Sequence, residues 1–366
     1  MKPHKVALVY DRVNTFGGAE RVLIALKKVF PDADIFTSVS SVKHAQWAAD
    51  WNVKTSFLQY IPLFRTHHQL LGMLMPIAFE SFDFSDYSLV ISVTSEAAKG
   101  IITKPSTLHV CYLLTPTRYL WSHAKEYEKD YYKGIKKFLL PLHRIVLSGL
   151  RRWDRVASMR PDIIVPISHV VKERCEKYYA RTCETVVYPP VGTELFKKEN
   201  QLATKGAQYL CVGRLVPYKR IDLVIQACLD TGRELKIIGM GPDMKRLKQV
   251  AGSSPLIHFL GHVSEQELVH EYQACKSVVF PGEEDFGIVA LEAMAAGRPV
   301  IVYSRGGAAE VVRHGLTGVV MMEQNRRALF KAFEQIEKTT WDSRLLQKEA
   351  EKYNEQNFMK YWRKYL

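Results

Sequence analysis

The sequence predicts an α/β protein built from two doubly wound domains facing each other across a cleft. Three observations predict it. The chain has 366 residues, more than one ordinary core accommodates when domains run to roughly 100–200 residues. Its first half alternates short β-branched runs with helical patterns, as parallel strands joined by crossover helices do. The alternation stops at VVYPPVGTELFKKENQLATKG, rich in turn-forming and polar residues, and begins again beyond it.

KVALVY (5–10) reads as a buried strand, and GGAERVLIALKKVF after it carries apolar residues at Val22, Leu23, Leu26, Val29 and Phe30, one helical face. SLVISV (88–93), LHVCYLL (108–114) and DIIVPIS (162–168) are further strands of an N-terminal domain spanning 1–188. A linker is placed at 189–205. QYLCVG, LKIIG, LIHFLG, SVVFPG, PVIVYS and GVVMM then supply the strands of a C-terminal domain over 206–345. The last stretch, SRLLQKEAEKYNEQNFMKYWRKYL, is aromatic and amphipathic, and residues 346–366 are expected to form a helix packing back on the body. In doubly wound sheets ligands sit at the carboxyl ends of the strands.

Apolar residues make up 47% of the chain and charged residues 24%, a globular composition that excludes general disorder. The 51 Lys and Arg exceed the 38 Asp and Glu, giving a formal charge of +13 and implying an anionic partner. Nucleic acid, an anionic membrane face and a phosphorylated substrate all qualify. The six cysteines, Cys111, Cys175, Cys183, Cys211, Cys228 and Cys275, form no CxxC pair and no zinc-spaced cluster, so inert thiols in a reducing cytoplasm are expected. MKPHKVALVY lacks the features of a signal peptide, and no uncharged apolar stretch reaches the ~18 residues of a membrane span. A soluble or peripheral protein is expected.

Gly239 and Gly241 follow a strand, but Met244 leaves the dinucleotide-binding pattern G-x-G-x-x-G incomplete. Gly17 and Gly18 follow the first strand and open a helix, a position that suits an anion or a sugar hydroxyl and equally a plain tight turn. Gly306 and Gly307 repeat this arrangement in the second half. In GRLVPYKRIDLVI, Arg214 and Lys219 lie on a strand-to-helix loop, where a planar fork and a point charge suit a diphosphate, although solvated surface charge is the usual role of such residues. In EEDFGIVALEAMAAGRP, the helix opening after Gly287 and stopped by Gly297 and Pro299 places Glu284 just outside its start and Glu292 about one turn inside. Both can address one ligand, or serve as ordinary helix-dipole partners.

Taken together and in this order, the Gly-Gly loop, GRLVPYKRID, IIGMGPD and EEDFGIVALEAMAAGRPVIV closely resemble glycosyltransferase family 4, retaining enzymes of GT-B fold with two Rossmann-like domains. The resemblance covers nearly the whole chain. FESFDFSDYSLVISVTSEAAKGI, CYLLTPTRYLW, LRRWDRVASMRPDIIVPIS and VVYPPVGTELF look like bacterial mannosyltransferases of O-antigen and exopolysaccharide assembly. The resemblance implies that Arg214 and Lys219 neutralise the departing diphosphate of a nucleotide-sugar donor without a metal. It also implies that Glu292 holds the ribose, that Glu284 lies beside the donor sugar, and that Phe286, Gly287 and Ile288 form the turn around sugar and phosphate. Gly17 and Gly18 match the loop that closes over the diphosphate, and Val263 and Leu268 the place of the base. No cofactor is implied, the nucleotide sugar being a substrate. The acceptor is expected to be a polyprenyl-diphosphate-linked glycan.

Relatives of CYLLTPTRYLW commonly carry His where this chain has Leu114, and that His contacts the sugar near its 6-hydroxyl. Leu114, with Thr115 and Arg118 in the same segment, therefore raises a 6-deoxyhexose donor, rhamnose or fucose, as a rival to GDP-mannose. Residues 133–157 carry Ile135, Phe138, Leu142, Ile145, Val146, Leu150 and Trp153 at helical spacing, with Lys136, Lys137, Arg144, Arg151, Arg152 and Arg155 opposite, and Pro141 expected to kink or split the helix. That pattern suits the anionic inner face of a cell membrane, or a core helix with a solvated basic side. Two other classes stay open: a nucleotide-sugar 2-epimerase of the same fold, which would need an acid and base array around the sugar, and a nucleic-acid-binding protein, for which no module is recognised.

Overall fold

The computed structural model describes residues 5–41, 43–61, 72–122, 124, 140–197 and 206–365. Apolar runs become strands wherever both faces of the run are covered, which is the burial that parallel sheets require. In the first unit the elements run β1 (Val6–Tyr10), α1 (Gly18–Val29), β2 (Asp34–Thr37), β3 (Val53–Thr55), α2 (Met75–Glu80), β4 (Leu89–Thr94), β5 (Leu108–Leu113), α3 (Leu140–Ala157), β6 (Ile163–Pro166) and α4 (His169–Tyr179). The strands pair in parallel in the order β3-β2-β1-β4-β5-β6. Every residue of β4 is buried. Two short strands, β2 and β3, escape the sequence reading: DIFT is brief, and VKT is a half-buried edge without an apolar run.

In the second unit α5 (Thr193–Lys197) precedes β7 (Tyr209–Val212), α6 (Ile221–Thr231), β8 (Leu235–Ile238), α7 (Met244–Ala251), β9 (Ile257–Gly261), α8 (Glu265–Ala274) and β10 (Ser277–Phe280). There follow α9 (Ile288–Ala295), β11 (Val300–Tyr303), α10 (Ala308–Val311), β12 (Gly318–Met321), α11 (Arg326–Lys338), α12 (Ser343–Glu351) and α13 (Glu355–Trp362). Its parallel sheet has the order β12-β11-β10-β7-β8-β9. Counted from the first strand of each unit, both sheets read 3-2-1-4-5-6, so each reverses direction beside its first strand, between β1 and β4 and between β7 and β10. The crevice at the carboxyl ends of those two strands is where such sheets hold ligands.

The chain divides into residues 1–188 with 359–366, and residues 189–358. Residues 189–197 of the stretch read as a linker thus belong to the second unit, and 198–205 lie outside the described residues. The terminal stretch is two helices rather than one. It breaks at Lys352–Asn354, and the Asn354 Oδ1 accepts from the Asn357 N–H to start α13 afresh. Residues 359–366 return to the first unit, where the buried Trp362 ring meets Tyr112 edge-on at 5.4 Å.

An aromatic cluster of Phe36, Phe79, Phe84 and Tyr87 fills one side of the first sheet, with Phe36 and Phe84 centroids 4.8 Å apart. Tyr209, Leu235, Ile301, Leu329 and Phe333 anchor the core of the second unit. All six cysteines are buried free thiols, and burial pushes Cys111, Cys228 and Cys275 up to about 12.

Candidate active site

At the carboxyl edge of the second sheet, loops after β7, β10 and β11 converge. The loop after β7 holds Arg214, exposed, and turns through a short 3-10 segment, Pro217–Lys219, into α6. Gly282 lets the loop after β10 lie against that segment, because a Cβ there would come within 2.7 Å of the Lys219 Cα. From the third loop, the Gly307 N–H donates to the Glu284 carbonyl at 2.8 Å. Gly287 caps α9 with φ of 98°, a left-handed conformation that favours glycine, and leaves the first N–H groups of α9 without helical partners, a position suited to an anion.

Within this knot the Lys219 Nζ lies 3.1 Å from the Glu284 Oε1, both side chains largely covered. The ammonium approaches outside hydrogen-bonding angles, so Oε1 is buried in a charge contact with no hydrogen bond. A buried carboxylate oxygen in that state is a ready acceptor for a ligand hydroxyl. Lys219 also sits over the Phe280 ring at 5.5 Å. Glu292, only 4% exposed, accepts a 2.7 Å hydrogen bond at Oε2 from the buried Tyr272 hydroxyl, a partner that α8 supplies and no spacing rule foretells. Phe286 is buried, while Ile288 is half-covered.

On the β9 side, the Leu215 N–H donates to the Met240 carbonyl at 2.9 Å and the Gly239 N–H to the Gly261 carbonyl at 2.7 Å. These bonds draw the loops after β7, β8 and β9 together; Met240 there is exposed, and Val263 and Leu268, further along, are half-covered. This edge thus carries Arg214 and the Lys219–Glu284 contact on adjoining loops.

The first unit carries a second polar group at its own reversal point. Asp11, just beyond β1, accepts from the backbone N–H groups of Ser95, Glu96, Ala97 and Ala98 at 2.8–3.0 Å and from the Thr94 hydroxyl. Burial raises its carboxyl above the ordinary range, with the Glu96 charge acting in the same direction. Arg12 forms a two-armed pair with Glu96, the Nη1 arm at 2.9 Å. Sequence reasoning missed Asp11, Arg12 and Glu96, and the one available signal was the DR dipeptide directly after the apolar run VALVY.

Gly17 and Gly18 do start α1, but its first turn already holds an acid. Glu20 is buried there and accepts from the Tyr10 hydroxyl at 2.7 Å. Leu114 and Thr115 are buried after β5 and Arg118 is half-covered. Of the basic helix, Lys136 and Lys137 lie outside the described residues. Pro141 is the second described residue of α3, and the residues directly before Leu140 lie outside the described residues. The helix turns Leu147 and Asp154 inward and Arg144, Ile145, Arg152, Arg155 and Val156 outward, so Ile145, 69% exposed, departs from the expected apolar face. Arg151 is half-covered and donates from Nε to the Leu120 carbonyl at 2.7 Å, which takes it out of a free basic face. No described helix is long and apolar enough to cross a membrane.

Fold and site together define a protein of two Rossmann-type α/β units, the second of which gathers Arg214, Lys219, Glu284 and the start of α9 at the carboxyl edge of its sheet. Residues 192–357 match the family profile of glycosyl transferases group 1, so the second unit carries a domain of that group. An uncharacterized glycosyltransferase of Methanocaldococcus jannaschii is 30% identical over 178 residues, covering 48% of this chain and 49% of that protein. A D-inositol 3-phosphate glycosyltransferase of a Mycobacterium species is 31% identical over 154 residues, covering 37% and 35%. The chain thus spans half or less of the length of these relatives. Among solved structures, Anabaena HepE in complex with UDP and glucose shares the fold over 99% of both chains, with a TM-score of 0.69 at 18% identity.

Proposed function

We propose that the protein is a retaining glycosyltransferase that moves a hexose from a nucleotide sugar to a lipid-linked or growing glycan in cell-surface polysaccharide synthesis. The observation that carries this reading is the Lys219–Glu284 contact at the start of α9, with Arg214 on the adjoining loop. A departing diphosphate moves toward Arg214, Lys219 and the α9 N-terminus, where fixed positive charge meets the charge that develops on bond breaking. Glu284 addresses the sugar and steadies its cation-like character, and Glu292 holds the nucleoside. The acceptor hydroxyl attacks from the face the diphosphate leaves, and a phosphate oxygen takes its proton. The two cations do the work a metal does elsewhere, so no metal enters this reading.

GDP-mannose is the favoured donor, with a 6-deoxyhexose nucleotide as the rival raised by Leu114, whose side chain donates no hydrogen bond to a 6-hydroxyl. HepE, with its UDP and glucose, adds UDP-glucose to the set worth testing. The acceptor is a polyprenyl-diphosphate glycan, and the outward Arg144, Arg152 and Ile145 of α3 support work on the anionic inner face of the membrane. The test is a panel of GDP-mannose, GDP-fucose, dTDP-rhamnose and UDP-glucose with lipid-linked acceptors, reading release of nucleoside diphosphate and the anomer formed. One donor turned over with retention, undiminished by EDTA, is expected. Inversion, strict metal dependence, or turnover of none of them sinks the reading, and an epimerised sugar formed without acceptor favours the isomerase.

A further inference from the structure

Behind the first unit's edge lies a buried ion pair that the proposed chemistry does not use. The Lys99 Nζ and Asp154 Oδ1 are 2.6 Å apart, and both side chains are fully excluded from solvent. Lys99 follows β4 and Asp154 lies on the inner face of α3. The Thr117 hydroxyl also donates to Oδ1 at 3.0 Å, while the Trp121 indole N–H and the Tyr179 hydroxyl donate to Oδ2, each at 2.7 Å. Lys99 donates further to the Glu96 carbonyl. The carboxylate is therefore saturated by four donors, drawn from the segment after β4, the segment after β5 and α4.

Two of those donors, Thr117 and Trp121, sit on the segment that leaves β5 and carries Leu114, Thr115 and Arg118. The same two helices hold the segment further, the Leu120 carbonyl accepting from Arg151 of α3 and the Trp121 ring stacking on Tyr178 of α4 at 5.3 Å. Removing two ions from water is expensive, and a pair of apolar residues of the same volume would serve the core as well or better. What apolar residues cannot do is fix Thr117 and Trp121 by direction. In that segment Thr115 is 3% exposed and its Oγ1 has no hydrogen-bond partner among the described residues, as befits a hydroxyl reserved for a ligand.

We propose that Asp154, paired with Lys99, is a positioning residue that locks the 114–121 segment so that Thr115 and its neighbours meet the sugar in one geometry. The proposal rests on the glycosyltransferase reading for its consequence, but not for the lock itself. Hydrogen exchange of the full chain without substrate reads the lock, comparing wild type with Lys99→Met/Asp154→Leu and Lys99→Met/Asp154→Asn. Both double variants remove the two charges together, so neither leaves an unpaired buried ion. The Asn variant restores an acceptor for Trp121 and Tyr179.

In the Leu variant the amides of 117–121 are expected to exchange about tenfold faster or more, as a locally opened segment does. With the donor selected by the panel, kcat is expected to fall by about a hundredfold, the scale of a misplacement near 1 Å, while affinity for GDP or UDP stays at the wild-type value. The Asn variant recovers most of both losses. A purely structural role would instead move the melting temperature and leave kcat of the folded fraction unchanged. Unchanged exchange at 117–121, or wild-type kcat despite faster exchange, overturns the proposal. Trp121→Phe, which deletes one donor at the rim, gives the same two readouts if the Leu variant does not fold. A wild-type protein inert toward every donor, with the exchange result standing, removes the transferase reading and leaves the lock.

Discussion

Glu284 and Glu292 look alike in sequence and differ in surroundings. Glu284 keeps an oxygen in a charge contact with Lys219 and without a hydrogen bond, whereas Glu292 is buried on α9 and tied to Tyr272. On the proposed reading, Glu292→Ala weakens donor binding and leaves the bound donor's turnover near normal. Glu284→Ala lowers turnover by about a hundredfold or more, the usual effect of losing a charge aimed at the transition state. Isothermal titration with nucleoside diphosphate and steady-state kinetics separate the two, and equal losses of donor affinity in both variants would end this division of labour. Arg214, Lys219 and Glu284 were legible in sequence because each stands at a strand end within a few residues of a glycine or proline turn. Tyr272 was not, since its partner lies on another helix and no spacing links them.

Helix-to-loop packing in the second unit is fastened by side-chain pairs whose charge sets a pH limit. Arg233, just past the end of α6, donates two hydrogen bonds to Glu337 of α11, at 2.9 and 2.7 Å. Those bonds hold the Glu337 carboxyl below its ordinary 4.5, at about 2. A group whose pKa falls on folding stabilises the fold above its unfolded value, and the contribution is lost as pH drops through the folded value. The stability difference between wild type and Glu337→Gln, from urea unfolding, should therefore be constant from pH 7 to about 5 and shrink between 4.5 and about 2. Solvent screening at this partly exposed site keeps the difference at about 1 kcal/mol or less. A difference that grows on acidification would contradict the assignment. At this scale the sequence spoke clearly where strands were continuous apolar runs such as VALVY, LVISVT and VIVY, because both faces of those strands are covered. It was silent for VKT of β3, and it read α12 and α13 as one helix because their apolar spacing continues across the break at Lys352–Asn354.

Over the whole molecule, two sheets of the same strand order each gather polar side chains on the loops beside their first strand. The second unit's site could be anticipated from short motifs, but the first unit's polar web could not. Asp11, the turn holding Glu96 and Lys99, and Asp154 belong to three separate segments that only the folded sheet brings together. The tail makes the first unit equally non-local. Trp362 is fully buried against Tyr112 of β5, so Trp362→Ala should cost about 3–5 kcal/mol in urea unfolding, as other large buried aromatics do. Affinity for nucleoside diphosphate in the second unit should be unchanged. A loss under 1 kcal/mol would show that the tail merely rests on the surface.

That tail also imposes a schedule on the ribosome. Residues 1–188 emerge first, yet the ring that closes over Tyr112 arrives only after the second unit has been made. At synthesis rates of roughly 5–20 residues per second, the nascent first unit waits on the order of ten seconds or more before its own chain can cover Tyr112.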